Sequence, residues 1–193
     1  MTLSRRFVVA LALLAAHCAT TPAPKTIPKD PAIVLEGSDG SSYAVPSELD
    51  RHRFTVFVFY SEDCPCMRAH EPRLEKLRSE YASRGVAVLL VNSEQGASPE
   101  RDAVVAKRRG YVFPLLTDRD GRLAKALNAE FATHSIVVDP TGRVRYSGAI
   151  DSDKNHMRSS ATPYLRPALA DLLAGNDPRT PDREPLGCAL RLR

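Results

Sequence analysis

The hydrophobic positions of this chain fall into two patterns, continuous runs and helical spacings, separated by turns rich in Pro, Gly and Asp. Phe54-Thr55-Val56-Phe57-Val58-Phe59 is an unbroken aromatic and β-branched run. That is the pattern of a strand buried on both faces. Val86 to Val91 repeats it. Between the two, Cys64 to Tyr81 carries Leu74, Leu77 and Tyr81 at steps of three and four, which predicts a helix. Pro72 lies inside it and is expected to kink it. Gly85 closes that helix. Ser98 to Arg109 reads as a second helix, with Ser98 as N-cap, Pro99 at its first position and Gly110 beyond its end.

Ile33-Val34-Leu35 and Tyr43-Ala44-Val45 flank a turn-rich segment and predict a hairpin. Further along come a short strand around Phe113 to Leu116, a helix from Arg122 to Asn128 and a strand from Ser135 to Val138. The turn Asp139-Pro140-Thr141-Gly142 then leads into a return strand, Val144 to Ser147. Pro163 to Ala174 is a last helix, ended by Gly175. This order describes an α/β domain over residues 32–175. Its mixed sheet starts with parallel crossovers, ends in an antiparallel hairpin and has helices on both faces. Residues 176–193 read as a polar, Pro-rich tail that turns apolar around Leu186-Gly187-Cys188-Ala189-Leu190. No repeat of 20–50 residues is present.

The N-terminus reads as an export signal. Arg5-Arg6 precede an apolar stretch from Phe7 to Ala16, the length of a signal core and short for a membrane span. Leu14-Ala15-Ala16-His17-Cys18 resembles a lipobox, so residues 1–18 are expected to be a lipoprotein signal with Cys18 as the lipid anchor. Ordinary cleavage near Ala19 is the rival, and an uncleaved anchor the third possibility. Residues 19–31, rich in Pro, Thr and Lys, suit a flexible tether. The 193 residues suffice for one domain with such extensions. The net charge of +4 is small, and Arg5 and Arg6 of the leader contribute half of it. A bias this weak excludes nucleic acid as the expected partner. An exported chain, periplasmic or on the outer surface, meets an oxidising compartment where cysteines pair or are kept reduced by dedicated proteins.

The chemistry concentrates at Cys64-Pro65-Cys66, just after the first central strand and at the start of a helix. A thiol there feels the positive end of the helix dipole and ionises more readily. Cys64 is therefore the expected nucleophile. Cys66 is a candidate resolving thiol, although residues two apart on a regular helix point nearly opposite ways. With Cys18 lipidated, Cys64, Cys66 and Cys188 remain, and three disulfides are open among them: 64–66, 64–188 and 66–188. Asp63 is expected to cap the helix through its side chain. Glu62 reads as a solvated charge. Arg68, one turn on, is either a thiolate partner or a surface residue. Cys64, Cys66, His70 and His134 form a possible Cu(I) or Zn(II) set, but no metal or other cofactor is assigned. His17 belongs to the leader, and His52 and His156 read as solvated.

The element order, with a reactive cysteine after the first central strand, resembles the thioredoxin fold, a three-layer α/β sandwich. Cys64-Pro65 with Pro72 is similar to the Cys-Pro start and kinked first helix of membrane-tethered thioredoxin-like proteins. Val137 to Val144 resembles the strand–turn–strand of redoxins. Tyr146 to Asp151, Thr162 to Leu169 and Gly187-Cys188 resemble the peroxiredoxin-like branch of the alkyl hydroperoxide reductase/thiol-specific antioxidant superfamily. The resemblance implies an extracytoplasmic thiol–disulfide oxidoreductase working with a thiol or disulfide protein partner. A thiol peroxidase and a copper-binding or interaction module are the alternatives. It also implies Cys188 as a second candidate resolver. The departures are specific. Met67 stands at the usual resolving position, and Phe57 and Ser61 replace the peroxiredoxin Pro and Thr. Thr133, followed by His134, takes the place of the cis-proline.

Overall fold

A computed structural model describes residues 25–28, 32–156 and 158–193. The expected leader, Cys18 and most of the expected tether lie outside the described residues. Seven strands form one sheet in the order β2-β1-β5-β4-β3-β6-β7. At its centre β3 (Phe54–Tyr60) pairs in parallel with β4 (Val86–Asn92) and antiparallel with β6 (Ser135–Val138). All seven β3 side chains are buried. Each large apolar side chain on such a strand contributes about 1.5–3 kcal/mol by burial. The β3 run is thus the hydrophobic anchor of the sheet, and its C-terminal end fixes where the cysteines begin.

The helix α2 (Pro65–Ala82) crosses over from β3 to β4 and buries Cys66, Met67, His70, Leu74, Leu77 and Tyr81. Those spacings follow the 3.6-residue period, so one face of the helix meets the sheet. Pro72 sits within α2 without ending it. The helix α3 (Pro99–Arg109) leads to β5 (Leu115–Thr117); the Ser98 side chain accepts from the Arg101 amide, and Gly110 closes it at φ 67°. The hairpin β1 (Val34–Gly37) and β2 (Ser42–Ala44) joins β5 antiparallel. β6 pairs antiparallel with β7 (Val144–Gly148), and helices α4 (Arg122–Leu127) and α5 (Leu165–Leu173) complete the α/β sandwich. The turn between β6 and β7 is held by Asp139 Oδ1, which accepts from the Thr141 hydroxyl and from the amides of Thr141 and Arg143.

Three expectations need correction. Val45 was assigned to a strand, but it opens the helix α1 (Val45–Arg51), with Pro46 in its first turn. Proline's fixed φ favours a helix start there. The domain begins earlier than residue 32. Ile27 is buried in the core, its amide donates to the Gly142 carbonyl at 2.8 Å, and the Lys25 carbonyl accepts from Val144. Residues 25–28 are thus packed chain rather than tether. The tail, read as lying outside the domain, is pinned to it. Its Pro181 carbonyl accepts from Ser147, and the amides of Arg183 and Leu190 donate to the carbonyls of Ser147 and Glu130. Leu190 is buried in the core. Polar composition hid these backbone bonds, which depend on no particular side chain.

Candidate active site

Cys64 follows the end of β3 by four residues and is itself the N-cap residue of α2, with extended backbone angles. The residue is 1 % exposed. The tail returns Cys188 to this point from the far end of the chain. The two Sγ atoms lie 2.8 Å apart, and all three sulfurs of Cys64, Cys66 and Cys188 fall within 4.8 Å of one another. All three cysteines are unpaired thiols. Of the three disulfides the sequence left open, 64–188 would join two sulfurs already 2.8 Å apart.

The three thiols are not equivalent. Burial acts to raise the Cys64 thiol, but hydrogen bonds from the Cys188 thiol, the amides of Met67 and Cys188, and the Cys66 thiol outweigh it and lower its pKa. Hydrogen bonds to a charged sulfur favour the charged form. Burial and the adjacent Cys64 sulfur raise Cys66. Bonding to Cys64, together with burial, pushes Cys188 up to about 12. The cluster therefore favours the charged form at Cys64 and the protonated form at Cys66 and Cys188.

The position of Cys188 is set by backbone. The Ala132 amide donates to the Cys188 carbonyl at 2.8 Å, and the Thr133 hydroxyl donates to the Leu186 carbonyl at 2.6 Å. Phe131 and Ala189 form an antiparallel bridge. Thr133 in turn donates its amide to the carbonyl of Phe59 in β3. It has φ 65°, in the left-handed region that β-branched residues avoid. The residue in the cis-proline position thus ties the central strand to the tail that delivers Cys188. The Gly187-Cys188 pair was visible in the sequence; the anchoring role of Thr133 carried no signal beyond its place.

The Redoxin family model matches residues 22–165. The chain belongs to the Redoxin family. It is therefore an oxidoreductase of thiol redox chemistry, a class that generally acts with thiol redox partners. Among solved structures this redoxin resembles an uncharacterized conserved protein from Geobacillus kaustophilus, 26 % identical, with TM-score 0.75 over 89 % of this chain and 93 % of that one. An exposed lipoprotein thioredoxin from Streptococcus pneumoniae strain TIGR4 is 22 % identical, with TM-score 0.53 over 61 % and 88 %. A peroxidoxin from Mycobacterium tuberculosis is 18 % identical, with TM-score 0.52 over 63 % and 80 %. The last two share its fold. No curated protein matches the sequence.

The charged neighbours of Cys64 in this redoxin point away from it. Asp63 does not cap α2, because Cys64 occupies the capping position and no side chain caps the helix. Asp63 is mostly exposed and faces Arg191 at 3.5 Å. Glu62 pairs with Arg108 near the surface. Arg68 is exposed and is not among the groups that lower Cys64. The histidines leave the cysteines too. His70 Nδ1 bonds the Cys66 carbonyl at 2.8 Å, and its Nε2 faces Asp151 at 3.4 Å. His134 Nε2 bonds the Ser147 hydroxyl at 2.9 Å. The metal set read from the sequence, two cysteines with two histidines, is therefore not assembled. Cys188 stands with the cysteines instead.

Proposed function

We propose that this redoxin is an extracytoplasmic thiol–disulfide oxidoreductase in which Cys64 is the nucleophile and Cys188 the resolving thiol. The 2.8 Å approach of the two sulfurs, with hydrogen bonds that lower the Cys64 pKa against its burial, carries this reading. In the reducing direction, the Cys64 thiolate attacks one sulfur of a substrate disulfide. A mixed disulfide forms and the other substrate sulfur leaves as a thiolate. Cys188 then attacks Cys64 Sγ, its proton passing to the departing second substrate sulfur. The substrate gains two electrons, one proton from Cys188 and one from solvent, and the chain is left with a Cys64–Cys188 disulfide. A dithiol protein restores it by the reverse exchange.

Cys66 serves in this scheme as a donor that steadies the Cys64 thiolate. Because Cys64 is buried beneath the tail, a protein substrate requires the segment around Cys188 to lift. The location is supported by Arg5-Arg6 and the apolar stretch that follows, and by the fold shared with the exposed lipoprotein thioredoxin. Lipidation at Cys18 would hold the domain at the membrane surface.

The deep burial of Cys64 favours one second reading, reduction of a small peroxide. The thiolate attacks the peroxide oxygen, an alkoxide or hydroxide leaves, and the sulfenic acid condenses with Cys188 to a disulfide and water. Mass mapping after one turnover tests both. A Cys64–Cys188 disulfide formed with a disulfide substrate supports the main reading, and one formed only with peroxide supports the second. A Cys64→Ser variant that keeps full activity with both substrates would sink both. Labelling of Cys18 with lipid in cells, or its failure, tests the anchor.

A further inference from the structure

We propose that the reduced Cys64, Cys66 and Cys188 together form a three-thiolate site for Cu(I). The sulfurs come from a loop end, a helix turn and the tail, yet all lie within 4.8 Å of one another. With metal–sulfur bonds near 2.3 Å, as in zinc thiolates, three sulfurs around one ion stand about 4 Å apart. The 4.8 Å bound on the cluster admits that size, and the Cys64–Cys188 pair opens from 2.8 Å to about 4 Å.

The donor set selects the metal. Thiolate sulfur is soft and prefers Cu(I) among the common ions. Structural zinc takes four ligands in a tetrahedron. The donors that gather here are three, all sulfur. His70 is engaged at both nitrogens, and the Nε2 of His134 is engaged with Ser147. Carboxylates near the site turn to arginines: Glu62 to Arg108 and Asp63 to Arg191. Three sulfurs complete a Cu(I) shell, whereas zinc here would draw its fourth ligand from solvent.

Binding involves no electron transfer. Cu(I) takes the three sulfurs as thiolates, and each thiol that enters the shell releases its proton to solvent. The resulting centre carries two negative charges. Lys154, whose positive charge acts on Cys66, offsets part of that. A Cys64–Cys188 disulfide removes two of the three ligands, so copper and the oxidised state exclude each other.

The test uses the full chain, reduced and kept free of oxygen, titrated with Cu(I) against the chromophoric competitor bicinchoninate. One equivalent is expected, with a three-sulfur shell by X-ray absorption. Cys188→Ser should weaken binding by more than about tenfold, the scale of losing even an outer-shell partner. Circular dichroism verifies that the variant is folded. The oxidised chain should bind none. Unchanged affinity in Cys188→Ser, a two-sulfur shell, or failure to compete for the first equivalent would each overturn the site. Disulfide exchange is assayed without copper, so loss of one property leaves the other standing.

Discussion

Gly187 lies directly against the backbone of Ala132, and a β-carbon on it would overlap the Ala132 carbonyl oxygen. No flexible side chain stands there to give way, so the tail itself must move. For Gly187→Ala we expect the Ala132–Cys188 backbone bond to break and Cys188 to leave Cys64. The buried β3 run is untouched, so the domain should remain folded. Iodoacetamide labelling followed by mass spectrometry checks this. Cys188 should label readily in the variant, and the oxidised form should lack the 64–188 disulfide. A variant that forms it as fast as the parent protein would refute the anchoring role of Gly187.

Thr133 offers the same test with opposite energetics. Its φ of 65° costs roughly 1–2 kcal/mol for a residue with a β-carbon. The bond from its hydroxyl to Leu186 contributes about 0.5–1.5 kcal/mol. Thr133→Gly removes both, so we expect global stability to change by less than about 1 kcal/mol. Tail protection should nevertheless fall. Native-state hydrogen exchange at the amides of Cys188 and Leu190 should rise while that of β3 stays unchanged. A large loss of stability by urea denaturation would mean that the left-handed backbone is not strained.

The difference between what the sequence disclosed and what it hid has one physical source. The central strands, α3 with its Ser98 cap and Gly110 end, and the Asp139 turn are determined by side chains close in sequence. They were readable for that reason. The place of Cys64 at the start of α2 was readable because Pro65 and the helical spacing follow it directly. The short helix α1 was hidden because Tyr43-Ala44-Val45 looks like a strand, although Pro46 marked the true start. The approach of Cys188 to Cys64 depends on contacts across 124 positions made mainly by backbone at residues 130–133 and 186–190. Backbone amides are the same in every sequence, so nothing in the residue pattern could rank Cys188 above Cys66. His70 and His134 illustrate the converse: they look like ligands by type, yet hydrogen bonds to Cys66 and Ser147 claim them.

Cys188 is also the first side-chain donor that lowers the Cys64 pKa, after the opposing effect of burial. Cys188→Ala removes that donor and exposes the sulfur. We expect the midpoint for thiolate formation at Cys64, followed by ultraviolet absorbance, to rise toward the ordinary thiol value. Its maximal alkylation rate at high pH should rise as well, because access improves. These two changes separate: a purely steric role for Cys188 would speed alkylation without moving the midpoint. Cys66→Ala should also raise the midpoint, by a smaller amount, since its hydrogen bond is the weaker contributor.

His134 sets how the fold responds to acid. Burial, with a smaller contribution from the Lys25 charge, lowers its pKa to about 4 from 6.5. Above pH 6.5 the ring is neutral whether folded or unfolded and does not affect stability. As the pH falls below 6.5 the unfolded chain takes up a proton that the folded chain refuses. Stability is therefore lost between about 6.5 and about 4, and the loss levels off below that. At 1.36 kcal/mol per unit the full loss is on the order of 3 kcal/mol. Asp139 and Asp151 act in a different window. Burial opposes their ionisation, but hydrogen bonds and nearby cations win and hold both below 3.8. Their contributions are present above 3.8 and disappear only as the pH falls through their lower folded values. His134→Gln keeps a polar group opposite Ser147 but cannot titrate. Urea unfolding at pH 7, 5.5 and 4.5 should then show a flatter decline than in the parent chain over that interval. Equal slopes in the two proteins would mean that His134 is protonated in the folded state.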